Sequence, residues 1–463
     1  MSDRASVSGA VSQQTDTMLD ALAQWVRIPS LSSSPEHTAD VTRSARWLMS
    51  QLREAGFPVV EEWQAVGRPA VYACWPASDP RAPTVLVYSH HDVNAVIDDE
   101  WHETAPFAGV LREGLLYGRG ASDAKGQVMC HLWALKAHLA ATGRSAPAVT
   151  MKFLIEGEEE IGSTHLGDLL ARHGEVLRTD LVMVSDSMMW SLDVPAVCTG
   201  VRGSVSAALT LRAARRDVHN GAVSGAAGNP LTELCRLIGS LHDETGRVTV
   251  PGFYDQVTDP SPHDRAQLAA IPLDESAWTE RTGTFSVQGE AGFGILERVW
   301  LRPAAEVTSL LGGHPQLPGL GVIPATATAG LVFRLVPDQQ ADDIARGVQE
   351  WVAERIDPGF TYDLDLPASR SDPYSTPSDH PAFTALEQAI SRTSGAAVVH
   401  MRNGGAAPAA QLARALEAPV LFFGTGLLED RWHSGDERVD VQALVQGAEA
   451  LAHWLSALPA AMA

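Results

Sequence analysis

Short runs of consecutive apolar residues recur through the N-terminal part of the chain, with helical spacing between them. Ala70–Trp75, 84–89, 149–155 and 181–185 are apolar runs of strand length. A strand without polar alternation is covered on both faces. Residues 16–28 and 38–55 carry Leu, Ala, Trp and Val at helical spacing, and the second run ends at Gly56. Residues 127–142 read as a helix stopped by Gly143, and 164–173 as another. Residues 1–15 are small and polar and are expected to fray. Strands alternating with helices predict an α/β fold, a mainly parallel mixed sheet with helices on both faces.

The pattern changes near Arg202-Gly203. Residues 204–213 alternate like a half-exposed strand, 230–241 form an amphipathic helix, 327–336 a strand and 338–354 a helix. This is the texture of an α+β sandwich. The loop-rich stretch 251–290 finds no place in it. After residue 376 the first pattern returns, with a helix at Pro381–Ser394, a strand at 420–423 and a helix at 439–455. The expected organisation is a catalytic domain in two parts, 1–202 and 377–463, interrupted by an inserted domain at 203–376.

Composition narrows the partners. With 34 Lys and Arg against 56 Asp and Glu, the formal net charge is −22. That balance argues against nucleic acid and anionic membranes. No apolar run approaches the ~18 residues of a membrane span, and the first residues lack the basic-then-apolar order of a signal peptide. The four cysteines form no C-x-x-C pair and read as reduced core residues, which points to the cytoplasm.

The chemistry lies just after the buried strands. His90-His91-Asp92 follows the second run, Glu156-Gly157-Glu158-Glu159-Glu160 the third, and Asp186 the fourth; His433 follows the strand at 420–423. Ligands of an open α/β sheet collect beyond the carboxyl ends of its strands. By strand period, His90 and Asp92 share a face and His91 points away, as befits a metal-binding imidazole oriented by a carboxylate. Asp123, in Gly118-Arg119-Gly120-Ala121-Ser122-Asp123, either caps the helix that follows or bridges two metals. An acidic cluster is most often a solvated turn. Taken together, however, His90, Asp123, Glu160, Asp186 and His433 make a sensible donor set for two ions. Imidazole with carboxylate suits zinc, and also manganese or cobalt. A non-ligand carboxylate is then needed as general base, and Glu159 and Glu160 together could supply base and ligand.

These motifs, with Val184-Ser185-Asp186 and His433-Ser434-Gly435-Asp436-Glu437, resemble those of the co-catalytic dinuclear zinc exopeptidases, the superfamily of carnosinase-type dipeptidases, aminoacylases and carboxypeptidase G. In the middle block, Asp217-Val218-His219-Asn220-Gly221, Val322-Ile323-Pro324-Ala325 and Arg334-Leu335-Val336-Pro337 are similar to the lid of the carnosinase-like branch. The resemblance implies two zinc ions per subunit with Asp123 bridging, and a water between them activated by Glu159. It implies that Asp92 orients His90 and that a cis peptide bond joins Asp123 to Ala124. It also implies a homodimer formed through the lid, with His219 reaching the partner's site and Arg334 pairing with a substrate carboxylate.

Three positions depart from the family pattern. Ala406, after Gly405 in the Arg402–Pro408 stretch, stands where a serine contacts the substrate. Gly321 stands where threonine is frequent, and Asp436 where asparagine is usual. The expected activity is hydrolysis of a dipeptide or short peptide with a free carboxylate. Hydrolysis of an N-acyl amino acid or another non-peptide amide is the alternative, and a non-catalytic peptide-binding relative a remote one.

Overall fold

The computed structural model describes residues 2–64, 67–317, 319–367 and 370–463, with side chains from residue 7 onward. Its central sheet has six strands in the order Val59–Trp63, Ala70–Trp75, Thr150–Glu156, Thr84–His90, Leu181–Val184 and Val420–Phe422. The last four run parallel; the first two join antiparallel. The sheet is therefore mixed, and its parallel half carries the candidate chemistry.

The unbroken apolar runs have a direct cause. Val85 and Val87 pack into one core while Leu86 and Tyr88 pack into another on the opposite face. Helices Ser2–Val26, Thr38–Ala55, Lys125–Thr142, Pro381–Ser394 and Val441–Ala461 cover the first face; Leu166–Leu177 and Ala409–Leu416 cover the second. Truncating a buried ring such as Phe153, fully excluded from solvent, costs about 3–5 kcal/mol in sites of this kind.

Two expectations are corrected. The N-terminal residues do not fray: Ser2–Val26 is one helix. Val7, Val11, Met18, Leu22 and Trp25 are buried along it, and Trp133 Nε1 donates to the Val11 carbonyl at 3.1 Å. These side chains share one core with Val128, Leu132 and Trp133 of Lys125–Thr142, so tertiary contact supplies what local polarity hid. Not all cysteines are core residues either. All four are free, but Cys235 is exposed. It lies one position beyond Leu234 on Pro230–Gly239, off the stripe of Pro230, Glu233, Leu234 and Leu237 that the helix buries.

The middle block forms a four-stranded antiparallel sheet in the order Ala304–Gly312, Thr326–Leu335, Gly203–Arg212 and Thr361–Asp365. Helices Pro230–Gly239 and Ala341–Arg355 share a third core with it through Leu234, Val348 and Trp351. Along Thr326–Leu335 the odd-numbered residues are buried and the even ones, Arg334 included, turn to the other face. The stretch 251–290 contains helices Pro262–Ala269 and Glu275–Thr282. Its Ile271, with Leu296 and Trp300, joins the core of the six-stranded sheet rather than that of its own block. No helix among the described residues is long and apolar enough to cross a membrane.

Candidate metal centre and substrate cavity

The carboxyl ends of the four parallel strands deliver their residues to one point. His90 closes its strand, Glu159 and Glu160 open a short turn after Glu156, and Asp186 follows Val184. His433 arrives on the loop after Val420–Phe422, with a φ of 59°. Two groups form, His90 with Asp123 and Asp186, and His433 with Asp123 and Glu160. Asp123 belongs to both through different oxygens. Its Oδ1 lies 3.2 Å from His90 Nε2, and its Oδ2 lies 2.9 Å from His433 Nε2. Asp186 Oδ1 stands 3.9 Å from His90 Nε2, and Glu160 Oε2 stands 3.3 Å from His433 Nε2.

The donor chemistry fits a pair of divalent cations. His90 Nε2 and Glu160 Oε1 are buried without a hydrogen-bond partner, an arrangement native interiors rarely leave uncompensated. Charge points the same way. Burial, then the neighbouring charge of Asp186, raises Glu159 well above the ordinary carboxylate range. Burial opposes charging His433, yet its hydrogen bonds to Asp123 and Glu160 push it up to about 11. Crowded carboxylates that hold each other's protons this way are what cations relieve.

The supporting residues account for the precision of the cluster. Asp123 is not a helix cap: the following helix has Ala124 at its N-cap position and no side-chain cap. The Asp123-Ala124 peptide is cis, as expected. Glu437 Oε1 accepts from the backbone N–H groups of Gly120, Ser122 and Asp123 at 3.0–3.2 Å, while its Oε2 takes Arg119 Nη1 at 2.6 Å. Gly120 has φ +87°, and a Cβ there would meet Val93 Cγ1 at 2.6 Å, so only glycine lets this loop close. Asp92 does more than orient His90. His90 Nδ1 is nearer the Asp92 carbonyl, at 3.0 Å, than its carboxylate, at 3.5 Å. The carboxylate instead accepts from the N–H groups of Glu159 and Glu160, at 3.3 and 3.1 Å, and so holds the turn that carries them. His91 faces away, its Nε2 2.9 Å from the Pro69 carbonyl.

The other two glutamates of the cluster are buried and structural. Glu156 takes hydrogen bonds from Tyr88 and Ser163; Glu158 takes the Arg68 N–H and faces His165 Nδ1 at 2.8 Å. Asp436, read as a departure, accepts from the N–H groups of His102 and Glu103 at 2.9 and 2.8 Å and ties down that loop.

A cavity of about 420 Å³ opens on Asp123, Glu159, Asp186 and His433. Arg334, Gly405 and Ala406 line it, as does Arg402. Among the described residues no carboxylate lies within ion-pair distance of Arg334 or Arg402. Burial, and then the charge of Arg334, brings nearby Arg202 down to about 10. Arg334 and Arg402 thus give this wall a cationic character without a direct ion pair. The structure does not bring His219 to this cavity. It is exposed on the short strand Val218–His219, paired with Val322–Ile323. Gly321 has φ +65°, a left-handed conformation that a β-branched threonine adopts only with strain. Sequence reasoning missed Glu437, although it stands inside the His433 motif, and Trp278 and Arg281, which reach the cavity from the unplaced stretch.

Comparison with known proteins agrees with this geometry. Residues 86–457 match the model of Peptidase family M20/M25/M40. The chain belongs to this family of metal-dependent peptidases. Among M20 relatives, it is 27% identical to the Cys-Gly metallodipeptidase DUG1 of Saccharomyces cerevisiae over 94% of either chain. It is 24% identical to the Beta-Ala-His dipeptidase of Rattus norvegicus, covering 94% of this chain and 92% of that one. These relatives place it in the carnosinase-like branch of the M20 family. The solved structure of the dipeptidase Dug1p from Saccharomyces cerevisiae superposes with a TM-score of 0.89 at 24% identity, over 99% of both chains, and so shares the M20 fold.

Proposed function

We propose that this M20 peptidase is a dipeptidase acting on substrates with a free carboxylate. The observation that carries the reading is Asp123, whose two oxygens divide between two imidazole–carboxylate groups while Glu159 borders the same cavity. His90, Asp123 and Asp186 would hold one ion, and Asp123, Glu160 and His433 the other. Zinc is the metal this donor set favours, with manganese or cobalt as substitutes. Bound metals would polarise the scissile carbonyl and make water acidic. Glu159 takes the proton from the attacking water and returns it to the leaving amine nitrogen. Asp92 holds Glu159 in place through its backbone N–H. Arg334 receives the substrate carboxylate on the cationic wall.

Residues 203–376 act as a lid, and the working unit is a homodimer. Strand Ala304–Gly312 supports this: it is a sheet edge whose Val307, Leu310 and Leu311 are exposed, and unpaired apolar edges invite pairing with another chain. In that assembly His219 of a second copy completes the site as oxyanion donor. Four free cysteines support a reducing cytoplasm.

The test is a panel of dipeptides and N-acetyl amino acids offered to the zinc- or manganese-loaded protein. Dipeptide turnover with little or no N-acetyl hydrolysis is expected; the reverse would install the amide-hydrolase alternative that Ala406 motivates. Mixing inactive His219→Ala and Glu159→Gln chains should restore activity, because one site of each mixed dimer is then complete. No recovery after subunit exchange would remove His219 from this role.

A further inference from the structure

The cationic wall is only one side of the cavity. The other is aromatic. Trp190, Trp278, Trp300 and Trp432 line it, joined by Met188 and Met189. Three of these rings, Trp190, Trp300 and Trp432, are held before any substrate arrives. Trp190 and Trp300 are buried and meet edge to face, with centroids 6.0 Å apart at 82°. The Arg281 guanidinium lies 4.5 Å from the Trp190 ring centre and is anchored by Glu429 at 3.0 Å and the Trp190 carbonyl at 3.0 Å. Trp432 Nε1 donates to Ser122 Oγ at 2.7 Å, beside Asp123. Preset aromatic walls recognise flat apolar groups through burial and edge-to-face contact, at little ordering cost.

Position within the cavity fixes which part of a substrate meets them. Arg334 and the tryptophans line one chamber together with Asp123, Glu159, Asp186 and His433. A residue whose carboxylate lies on Arg334 has its side chain in the same chamber. The Ala406 side chain is a methyl group and offers the cavity no hydrogen bond. Resting on the dipeptidase reading above, we infer that this enzyme selects substrates whose carboxylate-bearing residue has a large aromatic side chain. Trp278, carried by helix Glu275–Thr282, is the half-buried tryptophan that the middle block adds to the wall beside buried Trp300, and is the specificity determinant to test.

The experiment compares kcat/KM of the zinc-loaded protein on Gly-Phe and Gly-Trp with that on Gly-Ala and Gly-Gly. The aromatic pair is expected to be at least tenfold better, and Trp278→Ala is expected to reduce the Gly-Phe to Gly-Ala ratio at least fivefold. Because Trp278 is half-buried, a second measurement guards against misfolding of that variant: free phenylalanine should inhibit wild-type hydrolysis of Gly-Ala at least tenfold more strongly than free alanine. Equal kcat/KM across the four peptides, a ratio unchanged in folded Trp278→Ala, or equal inhibition by the two amino acids would overturn the inference and leave the dipeptidase reading standing. Hydrolysis of none of the four would overturn that reading, and the inference with it.

Discussion

The metal end and the substrate end of this site are built in different ways. Each metal-facing residue sits at or just beyond the end of a parallel strand, or on a loop held by Glu437, and its backbone is fixed by the sheet or by buried hydrogen bonds. The substrate end is assembled from separated segments: Met188 to Trp190, Trp278, Trp300, Arg334, the 401–406 stretch and Trp432. The backbone of the first is tied down by the sheet at His90 and by buried carboxylate acceptors at the Asp123 loop and the Glu159–Glu160 turn; the second depends on how the middle block lies against the sheet. The difference teaches that reaction chemistry and substrate choice are separable here, so changes at one end should leave the other end's readout intact.

The largest test of that separation is metal removal. Dialysis against a strong chelator should abolish peptidase activity, and zinc should restore it with two ions bound per chain; activity surviving in a verified metal-free protein would break the comparison at its first term. Next comes Glu159→Gln. It should lower kcat by about 10²–10⁴-fold while elemental analysis still finds both metals. Arg334→Ala should raise KM for carboxylate substrates by about 10- to 150-fold, from loss of one charge-assisted pair, with metal content unchanged. An equal rise for the carboxamide form of the same peptide would show that Arg334 does not read the carboxylate.

Smaller effects probe the supports. Glu437→Gln weakens the acceptor for three N–H groups of the Asp123 loop, and it should loosen metal binding by about 10–100-fold, measured by competition with a chromophoric chelator. An effect on KM alone would place Glu437 at the wrong end. Ala406→Ser should change kcat/KM by only about 2- to 10-fold, the worth of one added hydrogen bond, and should leave metal affinity untouched.

How legible the site was in the sequence follows the same division. Strand ends in a parallel sheet share one edge, so apolar runs followed by His90, Glu160, Asp186 and His433 announce a common destination. Asp123 was ambiguous by itself, because a helix cap and a metal ligand call for the same residue type in the same place; the backbone geometry excludes the cap. Asp92 illustrates a partial reading: strand period put it beside His90, but only the folded turn shows its carboxylate holding Glu159 and Glu160. Trp278 and Arg281 had no signal, since short polar helices between loops carry no long periodic stripe.

The fold divides similarly. Runs 84–89 and 149–155 revealed a sheet buried on both faces, because alternation disappears when both faces are apolar. The N-terminal helix and exposed Cys235 misled, one because a few apolar side chains spaced among polar ones suffice once a neighbouring helix covers them, the other because a single step around a helix carries a residue from core to solvent. What the sequence by itself determined is the parallel sheet and the donor set at its rim, since local period and strand direction place those side chains. Which residues enclose the substrate was decided only by tertiary structure. A cavity lined by segments more than two hundred positions apart, such as those of Trp190 and Trp432, leaves no local pattern to read.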